Sequence, residues 1–227
     1  MPKADSTSAV ASKKPVDSHG EVEGTGALRS ETGRRARRRE ELRDRVYEAA
    51  IASFVEQGFA TTTMDAIAER ADVARGTVFN HFPQKVAFLE EWGRRRRAHV
   101  ARTVEADRQE DGSAAAQLRH YLCEMAMLNV KSREQTIVLM DAAARFGALL
   151  RDTSLAAALA ELVNLGQQRD EFRSNVAPEQ VGALLSSVYF STILRWIADD
   201  PPPFDLGSQL EAMLNIVLEG LLTRTGT

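Results

Sequence analysis

Between Thr63 and Pro83 the chain has room for two helices of barely two turns each and a tight turn between them. That stretch limits the fold more than any other. Ala66, Ile67, Ala71, Val73 and Val78 recur at three- and four-residue spacing, so they can bury between the two helices. Thr62 or Thr63 supplies the first N-cap, and Thr62 with Asp65 has the form of a capping box. "DVA" turns the chain, the second helix runs from about Arg75 to Phe82, and Pro83 cannot continue it. This leaves Arg75, Gly76, Thr77, Asn80 and His81 toward solvent. Two short helices with a basic, polar second member fit a helix-turn-helix, whose second helix enters the major groove by its N-terminal end. The free amides and positive dipole end of such a helix favour phosphate. Gly76 weakens a short helix, and its bare backbone reads as clearance for DNA. Arg75 can donate to guanine or phosphate and Asn80 to adenine. Thr63 can hold a phosphate by hydroxyl or amide, and Lys85, just past the helix, by charge. The competing reading is a surface helix pair with a chance glycine.

The flanks extend the helical pattern. Residues 1–33 are rich in Ser, Gly, Ala, Lys and Glu without apolar periodicity, and are expected to form a disordered tail. "RRARRREELRDR" follows, with Arg34 and Arg35 opening a run of five arginines within six residues. It is either a basic arm gripping phosphates or a solvated helix start with pairs such as Arg37–Glu41. The excess of arginine favours the arm. Leu42, Val46, Ala49, Ala50, Ser53 and Phe54 then mark a helix that ends with Gly58 at C′. Beyond Lys85 the helices lengthen, with breaks at "DGS" and "DDPPPFD" and with Pro178 opening the helix that runs to about Ala198. The expected fold is all-α, of about nine or ten helices: a three-helix DNA-binding domain over 34–84 and a helical domain over 85–227.

Charge and chemistry narrow the function. A net charge of −3 argues against a general nucleic-acid binder, yet residues 31–97 carry +3 and residues 98–227 carry −6. Only the first part is suited to a polyanion. Cys123 stands alone, so no internal disulfide is possible. The N-terminus lacks the apolar core of a secretory signal, and the most apolar run, 181–198, holds three serines and Arg195. No membrane span is expected and the location is cytoplasmic. His120, Cys123 and Glu124 share one helical face and could give two metal ligands, but no second cluster completes a site. No phosphate loop, nucleophile elbow or HExxH occurs. Neither an enzyme nor a cofactor or metal is expected.

The stretch "GFATTTMDAIAERADVARGTVFNHFPQKVAFL", 58–89, resembles the signature of the tetracycline-repressor (TetR) family of bacterial regulators. Gly58-Phe59, Thr62-Thr63, Ile67-Ala68, Ala71, Val73, Gly76, Phe79, Phe82, Lys85 and Leu89 carry the match without a gap. Asp72 stands where the family often has a turn glycine, a position aspartate tolerates. Phe79 stands where a tyrosine is common and lacks the hydroxyl that could reach phosphate, though it can touch a thymine methyl. The resemblance implies a homodimer that binds a palindromic double-stranded operator as a repressor and is released by a small apolar or amphipathic inducer. Apolar stripes on the last two long helices suit a two-fold interface, with Leu184, Leu185 and Val188 on one and Leu210, Met213, Leu214 and Val217 on the other. The competing reading makes both stripes monomer core. Candidate pocket linings are Tyr121, Met125, Met127, Leu128, Phe146, Phe172, Phe190 and Trp196, with His120, Asn129 and Gln168 as polar partners. The alternative function keeps DNA binding but places control in a protein partner.

Overall fold

A computed structural model describes residues 23–107, 112–151 and 153–220, which are helical with no strand among them. The helices are α1 (Glu23–Gln57), α2 (Met64–Arg70), α3 (Arg75–His81), α4 (Val86–Ala106), α5 (Ala114–Lys131), α6 (Arg133–Arg145), α7 (Ala148–Arg151), α8 (Ser154–Gln168), α9 (Pro178–Trp196) and α10 (Leu206–Glu219). The all-α expectation holds. The disordered tail does not hold as drawn. Residues 1–22 lie outside the described residues, but residues 23–33 already belong to α1. Once the arginine-rich segment is helical, each added residue closes one more backbone hydrogen bond, so the helix extends backward at little cost. The chain divides into two compact units, residues 1–42 and 43–227. Within the first, the α1 side chains from Gly33 to Glu41 are exposed.

The second unit has one continuous core that runs from Val46 of α1 to Leu214 of α10. Its N-terminal end is aromatic. Phe54 packs on Phe59 at 4.8 Å and edge-on against Phe88 at 5.8 Å, and Phe82 stacks on Phe88 at 4.0 Å. Offset and edge-on ring pairs of this kind stabilise beyond the area they bury. Phe82, just past α3, and Phe88, in the first turn of α4, thereby lock the short helix pair onto α1. Between α2 and α3 the buried residues are Ile67, Ala68, Ala71 and Val78, whereas Ala66 and Val73 are only half-buried.

The turns show how short helices are stopped. Gly58 sits at φ +89° and donates to Phe54 O at 2.9 Å, the C′ role read from the sequence. After α2, Val73 N–H donates to Ala68 O and Asp72 N–H to Glu69 O, a Schellman closure. Its C′ residue is Asp72, at φ +50°. An aspartate therefore occupies the left-handed position that glycine usually fills.

In the body, α8 packs most extensively on α9, and α5 on α10 and α4. A Cβ at Gly182 would fall 2.2 Å from Ala156 O and 3.0 Å from Ala160 Cβ, so α8 and α9 approach more closely than any side chain there would allow. Ser113 caps α5 through Ala116 N–H at 3.1 Å, and Asp205 caps α10 through Ser208 N–H at 2.8 Å. The left-handed Asp72 gives a direct test. Asp72→Gly should raise the unfolding free energy by about 0.5–1 kcal/mol, read as a higher denaturant midpoint at unchanged slope.

Candidate nucleic-acid interface and internal cavity

The helix pair presents Thr63, Asp65, Arg75, Gly76, Phe79 and Asn80 to solvent, with Thr77 and His81 half-exposed. Arg75 Nε lies 3.1 Å from Asp65 Oδ1, and its guanidinium covers the Phe79 ring at 5.3 Å. These exposed contacts orient the arginine along the face without burying its charge. Ala74, the N-cap of α3, offers no side-chain acceptor to the first-turn amides. That is the condition under which a helix start takes phosphate. A Cβ at Gly76 would meet nothing within 4 Å. No neighbour among the described residues requires a glycine there.

Two expected DNA contacts change role. Thr62 is 1% exposed, and its hydroxyl donates to Gly58 O at 2.8 Å and lies 3.2 Å from Ser53 O. It ties α2 to the end of α1 and is withdrawn from the DNA face; Thr63 alone is the N-cap, accepting from Ala66 N–H at 3.1 Å. Lys85 is turned inward. Its ammonium donates to Phe59 O at 2.5 Å, Thr62 O at 2.8 Å and Ala60 O at 3.1 Å, and sits 4.7 Å from the Phe59 ring centroid. Partial burial lowers its pKa. The turn after α1 strands these carbonyls, and the lysine satisfies them, so it is a clamp on the fold instead of a phosphate contact. Arg34 and Arg35 are exposed on α1.

A second charge cluster escaped the sequence reading. Glu91 of α4 has a side chain only 4% exposed and accepts from three arginines. Arg43 of α1 binds it bidentately at 3.0 and 2.9 Å, Arg94 at 2.7 and 2.6 Å, and Arg95 at 2.8 Å. Arg95 also reaches Asp44 at 2.5 Å and stacks on Tyr47 at 3.9 Å. Burial alone would push the Glu91 carboxyl up; hydrogen bonds from Arg94, Arg95 and Arg43 outweigh it and hold the carboxyl down to about 2.

The other face of α4 lines a cavity of about 40 Å³, room for one or two waters. Leu89, Trp92 and Arg96 of α4 meet Met125, Met140, Leu155, Tyr189 and Phe190 there. Of the sequence candidates, Met125 and Phe190 line it, and the others do not. Tyr121 is core. Leu128 is a half-buried core neighbour. Phe146 is 46% exposed and lies against Phe59 at 5.2 Å, and Met127 is 51% exposed. Phe172 packs on Gly166, and Trp196 is buried under the Arg133 guanidinium at 5.4 Å. Asn129 is buried and already bonded: it donates to Met125 O at 2.7 Å and Tyr189 Oη at 2.8 Å, and accepts from Arg96 at 2.9 Å. Gln168 is exposed; His120 lies 3.6 Å from Glu124 and 3.7 Å from Asp107. The expected dimer stripe also divides. Leu185, Leu210 and Leu214 are 3%, 2% and 1% exposed and belong to the monomer core. Leu184 is 52% exposed, and Val188, Met213 and Val217 are half-buried beside the exposed Ile216.

A helix-turn-helix with an uncapped reading helix, joined to a helical body that encloses a cavity, defines a ligand-responsive DNA-binding regulator of transcription. The model for the tetR family of bacterial regulatory proteins matches residues 46–92. The HTH-type transcriptional repressor KstR of Mycolicibacterium smegmatis is 26% identical over 200 residues, 83% of this chain and 92% of KstR. Thermus thermophilus FadR, a TetR-family repressor solved with lauroyl-CoA, superposes with a TM-score of 0.70 at 29% identity, covering 81% of this chain and 97% of FadR. Bacillus subtilis FadR, solved with stearoyl-CoA, shares the fold at a TM-score of 0.61 and 18% identity over 78% of this chain and 98% of that one. These matches bear out the TetR resemblance read at residues 58–89.

Two substitutions check the reassigned charges. Lys85→Ala should lower the unfolding free energy by about 1–3 kcal/mol and leave the salt slope of DNA binding unchanged, since no phosphate contact is lost. Glu91 has a folded pKa below its ordinary 4.5, so its stabilisation is present above pH 4.5 and lost as the pH falls toward 2. Glu91→Gln should remove that acid-limb titration and cost about 2 kcal/mol at neutral pH in denaturant unfolding.

Proposed function

We propose that the protein is a cytoplasmic homodimeric repressor of a palindromic operator, and that an amphipathic small molecule entering the α4-lined cavity releases it. The carrying observation is the double role of α4. Glu91 holds Arg43 of α1 on one side, and Leu89, Trp92 and Arg96 line the cavity on the other. An occupant larger than the present cavity has to move α4, and α4 cannot move without pulling on α1. The acyl-CoA esters bound by the two FadR proteins are the model for the ligand class. No helix among the described residues is long and apolar enough to cross a membrane.

In this reading residues 34–84 are the reading head and residues 85–227 the body. Arg75 and Asn80 read bases, Thr63 and the α3 amides hold phosphate, Thr77, Phe79 and His81 flank them, and Arg34 and Arg35 add salt-dependent affinity. The exposed Leu184 and Ile216, with Val188, Met213 and Val217, form the two-fold interface across α9 and α10.

The test is binding to a duplex selected from a random pool, followed by fluorescence anisotropy, with light scattering for the dimer. Arg75→Ala should cost about 1–3 kcal/mol and relax preference for the selected sequence. Gly76→Ala should leave the fold at least as stable, because helix propensity improves and nothing clashes, while weakening the selected duplex. Lauroyl-CoA should lower affinity for the duplex. A monomer at micromolar concentration, or Gly76→Ala binding as well as wild type, contradicts the reading.

A further inference from the structure

The cavity is not uniformly apolar. Arg96 is 8% exposed and lines it. Its guanidinium donates to Ser132 Oγ at 2.8 Å and Asn129 Oδ1 at 2.9 Å and lies over Trp92 at 4.7 Å. All three partners are neutral, and no carboxylate among the described residues pairs with it. Burial lowers its pKa, yet an arginine remains charged at neutral pH. A buried cation without a counter-charge is costly, and buried charges are ordinarily paired. The contrast within the same helix is direct: Glu91, five residues earlier, is matched by three arginines, whereas Arg96 has no anion.

The position of Arg96 gives the missing charge an address. Glu90, Gly93 and Arg97 of α4 lie at the more exposed rim of the cavity. Arg96, Met125, Met140, Leu155 and Tyr189 are buried and form its floor. Tyr189 Oη accepts from Asn129, which fixes the polar corner in which the guanidinium sits. The Arg96 cation and the apolar side chains of Met125, Met140 and Leu155 thus face one cavity. A plain saturated chain would bring a methyl group against that charge.

We infer that the cavity takes a hydrocarbon chain whose buried end carries a carboxylate, and that Arg96 is its counter-ion. This rests on the reading of the cavity as the effector site. The same chemistry has two sources: a free aliphatic acid entering head-first, or the distal carboxylate of a dicarboxylate thioester entering tail-first. Binding to the full-length protein separates them in two matched pairs, laurate against 1-dodecanol and dodecanedioyl-CoA against lauroyl-CoA, measured by titration calorimetry below the critical micelle concentrations. The carboxylate member of at least one pair should bind ten-fold tighter or more, and the pair with the gap names the source. In Arg96→Met the gap should close to within about two-fold, through loss of the acid and not of the neutral partner. Should Arg96→Met fail to fold by circular dichroism, the wild-type pairs decide alone, and Arg96→Lys should retain part of the gap. Equal binding within both wild-type pairs overturns the inference while leaving an acyl ligand in place. A gap that persists in Arg96→Met also overturns it. Binding by none of the four probes overturns the effector site itself.

Discussion

The buried carboxylate of Glu91 is the point at which α1 and α4 are joined. Around it, Arg43 comes from α1 and Arg94 and Arg95 from α4, so the ion cluster fixes the angle between the helix that carries the reading pair and the helix that walls the cavity. A single surface pair would contribute little. Here the carboxylate is removed from water and its oxygens receive five hydrogen bonds, a geometry that holds only when all three arginines are in place. The aromatic stack of Phe54, Phe82 and Phe88 sets the same junction by apolar contact. A polar cluster and an apolar ring stack therefore both hold α4 against α1.

The cavity beside α4 is small. It holds no more than one or two waters, which is too little for any acyl chain, so occupancy and expansion are one event. The walls that must yield include Met125 and Met140, unbranched side chains that refill irregular space readily. The side that cannot yield is α8 against α9, where Gly182 leaves no room for even a methyl group. The close α8–α9 contact and the pliable methionines thus lie on different walls of the same cavity.

Much of this was legible in the sequence, and the rest was hidden for identifiable reasons. Helix periodicity, capping and the stops at Gly58 and Pro83 are local, so the α2–turn–α3 pair could be read directly, including Asp72 in a left-handed turn. Charge alone, in contrast, does not say where a long side chain points. Lys85 follows the reading helix in sequence but folds back on the α1 turn, and Thr62 differs from Thr63 only by the face of one turn. Arg94 and Arg95 stand three and four residues from Glu91, but Arg43 lies 48 residues from it, and Asn129 lies 33 residues from Arg96, separations no local pattern records. The apolar stripes of α9 and α10 show periodicity without saying which half meets α8 and α5 and which half meets solvent; Leu185 and Leu214 fell on the first, Leu184 and Ile216 on the second.

Two glycines separate structural demand from functional demand. At Gly182 the neighbouring helix supplies the reason: a Cβ would strike Ala156 O at 2.2 Å, so the residue is required before any partner is considered. At Gly76 the space beyond the Cα is empty and the helix would gain from alanine. Crowding among the described residues therefore does not account for it. The same test applies to charge. Arg94 and Arg95 are explained by Glu91, whereas Arg96, one residue further along α4, is buried with no anion beside it among the described residues. Where folding accounts for a residue, nothing further follows from it; at Gly76 and Arg96 the described residues supply no such account.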